Sequence, residues 1–253
     1  DMVSRGLGDV YKRQDQQDAI RNKNIAQLTY ENDYQFAKAP NPPKVTAVAG
    51  DGKVTLYWDR SAEDTKDKYM GNITDGADLY DFEGYKIYRA TDFEFNDAYN
   101  ITDGDGNPTF LEPYVQNGVR AQWDLIDGKS GWHPVDLNGI KFYLGDETGL
   151  VHSYVDNNVV NGQRYYYAVV SYDYGGDLTN NIIPSDSPMK LRVNPLTGAV
   201  SLGPNVVEVV PSPPSAGFVD ASFTGDQIDH VAGASSGEAV SYTHLRAHET
   251  PCH

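Results

Sequence analysis

Residues 44–59, KVTAVAG-DG-KVTLYWD, constrain the fold of this chain more than any other stretch. Two runs of alternating character are joined by Asp51-Gly52, and Val54, Leu56 and Trp58 fall on one side while Thr55 and Tyr57 fall on the other. A period of two belongs to half-buried strands. An Asp-Gly pair between two such runs favours a tight antiparallel hairpin. One hairpin buries too little to be stable, so the rest of the chain must supply further strands.

It does so repeatedly. DFEGYKIYRA (81–90) places Tyr85 and Ile87 on one face. HSYVD (152–156) precedes a longer run in which Tyr165, Tyr167, Val169 and Ser171 share one face and Tyr166, Ala168, Val170 and Tyr172 the other. SPMKLRVN (187–194) reads as a closing strand. The 18 tyrosines and 24 glycines, with Asn and Asp clustered between β-branched runs, fit strands separated by long polar loops. The expected class is all-β. Ahead of the hairpin, 15–36 has loosely helical apolar spacing and predicts a short helix. AKAPNPPK (37–44) is a linker whose prolines disfavour helix and hold the chain extended.

Four marks in order resemble a fibronectin type III domain: Pro43 ahead of the first strand, Trp58 on the second, Tyr85-Lys86-Ile87-Tyr88-Arg89 on the third, and Val159-x-Asn161-Gly162-x-x-Tyr165 before the sixth. The resemblance implies an immunoglobulin-like sandwich over 43–194. Trp58, Tyr85 and Tyr165 are then structural residues, and Tyr165 supplies the corner in which a tyrosine hydroxyl reaches back to backbone. Such domains take about 100 residues. The excess here predicts long loops at 60–80 and an insertion at about 91–150, with one or two strands of its own. Beyond 194, NVVEVV followed by PSPPSAG predicts a linker and the start of a second β-domain over 195–239.

The chain ends read differently. His244, His248, Cys252 and His253 have zinc-like spacing. However, one coding strand for Asp9 to Gln14, read from its complement, gives Val-Ser-Tyr-Thr-His, which is Val240 to His244. Residues 1–14 and 240–253 therefore resemble one sequencing-library adaptor translated in opposite orientations. They are set apart from the native chain, and the zinc reading goes with them. The remainder carries 16 basic and 33 acidic residues, a net charge of −17. That surface repels nucleic acid and anionic lipid. Its only cysteine, Cys252, lies in the adaptor-like end, so a disulfide scaffold is excluded. No apolar run is long enough to span a bilayer.

Three clusters carry residue types that suit a site. Asp103, Asp105 and Asn107 alternate in TDGDGNP, a spacing that can aim hard oxygens at calcium. An EF-hand loop would place Gly sixth and Glu twelfth, where Pro108 and Tyr114 stand, and the same residues make an ordinary turn. Calcium is the one candidate cofactor. Trp123 and Trp132 flank an acidic, glycine-containing stretch. They suit sugar stacking if exposed and coplanar, and attachment of the insertion to the sandwich if buried. His133, His152 and His230 are the remaining histidines, and no nucleophile elbow, zinc-protease or phosphate-loop motif accompanies them. The expectation is a non-catalytic structural or adhesive module of a large extracellular or bacterial cell-surface protein. Its partners would be neighbouring domains of its own chain and a protein or polysaccharide. The alternative is an accessory carbohydrate-binding module of a secreted multidomain hydrolase.

Overall fold

The computed structural model describes Lys23, Gln27 and residues 36–137, 139–178 and 181–217. The adaptor-like ends, the terminal histidines with Cys252, and His230 lie outside the described residues. Of the helix expected at 15–36, Lys23 and Gln27 are described, both helical. Contacts divide the chain into Asp1–Pro214 and Ser215–His253. Every described strand lies in the first unit.

In chain order the elements are β1 (Val45–Gly50), β2 (Lys53–Trp58), α1 (Lys68–Ile73), β3 (Phe82–Ala90), β4 (Asn100–Thr102), β5 (Pro108–Leu111), β6 (Val115–Gln116), β7 (Val119–Arg120), β8 (Gln122–Asp124), β9 (Trp132–Leu137), β10 (Ile140–Tyr143), β11 (Ser153–Asp156), β12 (Tyr165–Asp173), β13 (Leu191–Val193), β14 (Val200–Leu202) and β15 (Val206–Val209). The protein is all-β, with antiparallel pairing throughout the described sheets.

The hairpin at 44–59 is β1–β2. Its register runs from Val45 opposite Trp58 to Gly50 opposite Lys53. Gly52 adopts φ 59°, a conformation that costs other L-residues more. Strand β11 adds to the far edge of β2, completing a sheet ordered β1-β2-β11. The second large sheet is ordered β15-β12-β3-β8. Between the two lie Val54, Leu56, Trp58, Phe82, Tyr85, Ile87, Tyr165, Tyr167 and Val169, all buried in one cluster. Each apolar side chain fully buried this way contributes roughly 1.5–3 kcal/mol before entropy is subtracted.

An antiparallel sheet commonly leaves one face wet. Here all nine residues of β12 are buried. Tyr166, Ala168 and Val170 point away from the inner core into a second cluster with Tyr88, Phe95 and Val206, packed against Leu111, Met189 and Leu191. Tyr172 joins a third with Phe142 and Leu144, beside Phe110 and Tyr174. The extra chain length is thus folded onto the outside of the second sheet. Lys86 faces the same side. It is buried, ion-paired to Asp186 at 3.1 Å, and lies 3.5 Å from the centroid of Phe142. Burial pulls its ammonium pKa down, while Asp186 opposes that shift.

Three sequence expectations change. The insertion at 91–150 is divided in two, because β8 returns to pair with β3 between its halves. The strand at 187–194 does not close the sandwich: β13 pairs with β14 alone, as a hairpin. And NVVEVV opens no second domain, because β15 pairs with β12 from Tyr165–Val209 to Ala168–Val206. Asn205 decides this locally. It is buried, its amide donates to Val169 O and Pro188 O, and its own carbonyl accepts from Val169 N at 3.0 Å. The loop at 60–80 contains α1, capped by Asp67, whose carboxylate accepts from Tyr69 N at 2.7 Å and Met70 N at 3.0 Å.

Candidate functional site

The residues singled out in the sequence separate in space. Asp103, Asp105 and Asn107 form the exposed turn of the β4–β5 hairpin. The Asp103 carboxylate accepts from Asp105 N, from Asn107 N at 2.8 Å and from the Asn107 side-chain amide. The Asn107 amide, with the loop's backbone N–H groups, holds Asp103 below the usual carboxylate range. Its oxygens therefore serve the turn. Among the described residues no group of three or more His, Cys, Asp or Glu side chains is placed to hold a metal ion.

The two tryptophans also part. Trp123, on β8, is half-buried and wedged between Trp58 (centroids 5.9 Å apart) and Tyr154 (5.4 Å). It fastens β8 to the core of the sandwich. Trp132 opens β9 and is 58% exposed, with its ring meeting Tyr143 edge-on at 4.9 Å. No ring contact joins the two tryptophans among the described residues.

What β7, β8 and β10 build instead is a cleft of about 500 Å³, lined by Glu112, Arg120, Gln122, Trp123, Tyr143 and Asp146 among others. Its aromatic wall is fixed from several directions. The Tyr143 hydroxyl donates to Asp146, which pushes its pKa up to about 12. The Arg120 guanidinium lies 5.0 Å from the Tyr143 centroid and donates through Nε to Glu112 at 2.6 Å. A second cleft, about 510 Å³, shares Glu112 and Val115 with the first and is lined also by Arg89, Asp97, Tyr99 and Tyr114. Behind it stands Asp156, fully buried. It accepts from Arg89 at 2.9 Å, from the Tyr167 hydroxyl at 2.7 Å, from the Tyr114 hydroxyl at 3.2 Å and from Asn158 N at 2.8 Å.

The two described histidines are held in the fold. His133 is buried, with Nε2 2.7 Å from Gly176 O and Nδ1 accepting from Val135 N, and burial lowers its pKa, so the ring is neutral at physiological pH. His152 pairs with Glu63 at 2.6 Å, and the Tyr85 hydroxyl donates to the same carboxylate at 3.2 Å. Tyr165 lies buried at the start of β12, and its hydroxyl oxygen accepts from Val160 N at 3.0 Å.

Sequence reasoning missed two buried acids with carboxylate oxygens that lack a partner, Asp81 and Glu83. They lie just before and at the start of the third strand, on the same alternation as the buried Tyr85 and Ile87. Glu83 is fully buried and neither carboxylate oxygen has a partner; Asp81 has one such oxygen. Burial, reinforced by Asp67 and Asp78 and opposed by Lys129, pushes Asp81 up to about 7. Burial, with Asp127, Asp124 and Glu147 nearby and Lys129 opposing, pushes Glu83 up to about 8. That shared alternation was the forward signal; the segment that meets Glu83, DLIDGKSG (124–131), is distant in the chain, with Leu125 N donating to Glu83 O at 2.9 Å.

Compared with protein-family models, curated proteins and solved structures, the chain finds no match.

Proposed function

We propose that this chain is a non-catalytic module of fibronectin type III-like build, acting as a spacer or interaction domain in a large extracellular or cell-surface protein. The observation that carries the reading is the pair of strand orders, β1-β2-β11 and β15-β12-β3-β8. Assigned in chain order, β1, β2, β3, β8, β11, β12 and β15 correspond to the seven strands of that sandwich. A tyrosine at the start of the sixth bonds back to backbone. The high negative charge fits a solvated exterior. The histidines support it too, since each described one is occupied with holding the fold together.

A spacer must keep its length under tension. Val45 N donates to Pro204 O at 2.8 Å, tying the first strand to the approach to the last. Stretching the full chain between its ends by force spectroscopy should give a cooperative unfolding event. The stretch Val45 to Val209 should release contour length on the order of 55–60 nm, at about 3.3–3.6 Å per residue. Smooth extension without a force peak would rule out the spacer role.

A further inference from the structure

We infer that the cleft between β8 and β10 binds a neutral saccharide chain, with Trp123 and Tyr143 as stacking faces and Glu112, Arg120 and Asp146 as partners for its hydroxyls. The inference goes beyond the spacer reading and does not depend on it.

Sugars present flat C–H faces and hydroxyl edges, so a site needs aromatic surface bordered by planar polar groups. The cleft offers both. Trp123 is braced by Trp58 and Tyr154. Tyr143 is braced by Trp132, Arg120 and Asp146. Rings already fixed in place lose little freedom on binding. The role of Trp132 is then to support Tyr143 from outside rather than to meet the ligand.

Charge narrows the ligand. Glu112 and Asp146 outnumber Arg120 on a chain of net charge −16, so a polyanion would be repelled. A cationic peptide is disfavoured for another reason: Glu112 is engaged by Arg120 and Asp146 by the Tyr143 hydroxyl. Carboxylate and guanidinium groups held in this way suit a neutral polyol, which both accepts and donates. Extent follows from the second cleft. It shares Glu112 and Val115 with the first and carries Tyr99, 79% exposed. A chain that crosses Val115 reaches a further aromatic face, so longer oligosaccharides should bind more tightly than short ones.

The test uses the full chain, calorimetry and tryptophan fluorescence. The probes are di- and hexasaccharides of β-1,4-linked glucose, xylose, mannose and N-acetylglucosamine, and of α-1,4-linked glucose. A galacturonate hexasaccharide serves as the acidic comparison. At least one neutral hexasaccharide should bind saturably. Tyr143→Ala and Arg120→Gln should each weaken it about tenfold, and Tyr99→Ala should weaken the hexasaccharide but not the disaccharide. Arg120→Gln keeps the test decisive should Tyr143→Ala fail to fold. Absence of saturable binding to every neutral probe, preference for galacturonate, or affinity unchanged in folded Arg120→Gln protein would each overturn the proposal. Equal losses for the two lengths in Tyr99→Ala would overturn its extension into the second cleft.

Discussion

Replacing Glu83 with Gln should make the protein more stable in alkali while changing little in mild acid. Glu83 is fully buried with no partner for either carboxylate oxygen. Its pKa rises from 4.5 to about 8, first through burial and then through Asp127. The folded protein therefore holds a proton that the unfolded chain releases above about pH 4.5. Stability falls as pH rises wherever the folded state binds more protons, and here that window runs from about 4.5 to about 8. At about 1.4 kcal/mol per unit, the full loss above pH 8 is about 3–5 kcal/mol. A glutamine cannot ionise, so that slope should vanish from the variant. Urea unfolding of both proteins at pH 5, 7 and 9 would measure it, followed by tryptophan fluorescence because Trp58 lies in the core. Subtracting one curve from the other removes the general repulsion of a chain this acidic. Stability differences that are equal at all three pH values would refute the reasoning.

Other expectations follow from the same contacts. Asp156→Ala strands the Arg89 guanidinium and two tyrosine hydroxyls, and should lower stability by about 3–5 kcal/mol in denaturant titration. Tyr165→Phe removes only the bond from Val160 N and should cost about 1 kcal/mol by the same assay. Gly145→Ala brings a Cβ to 2.3 Å from Asp124 Cγ at a φ of +143°; it should lower the melting temperature and shift tryptophan fluorescence as β8 moves. Calcium should leave the melting temperature unchanged, because the Asp103 oxygens already accept from their own loop.

Where neighbours along the chain decided the outcome, the sequence was readable. Asp51-Gly52 and the alternation on either side led directly to β1–β2 and its register. The alternation of 165–172 was legible as a strand; that both its faces are covered is shown only by the structure. Where partners distant in the chain decided, it was not readable. KLRV and VVEV are equally strand-like, and only the buried Asn205, bonded across to Val169, places the second beside β12. Asp81 and Glu83 alternate with the core residues Tyr85 and Ile87, but the segment that meets Glu83 comes from more than forty positions away, so their lack of partners could not be read from neighbours. The candidate cleft was half legible. Trp123 stood out as an aromatic among carboxylates, but its partner in the wall is Tyr143, which alternation alone would have placed in any strand.

A sheet covered on both faces also redistributes evolutionary freedom. In a sandwich with one wet face, alternate positions of every strand can drift toward any polar residue. Along β12 no such position exists, and β3 keeps only Arg89 incompletely buried. Variation in descendants of this sequence should therefore collect in β1, β11 and the hairpin tips, while the β3–β12 seam changes only by compensated, multi-residue steps. That seam would date the lineage in the way a slow clock does, long after the loops had lost their resemblance.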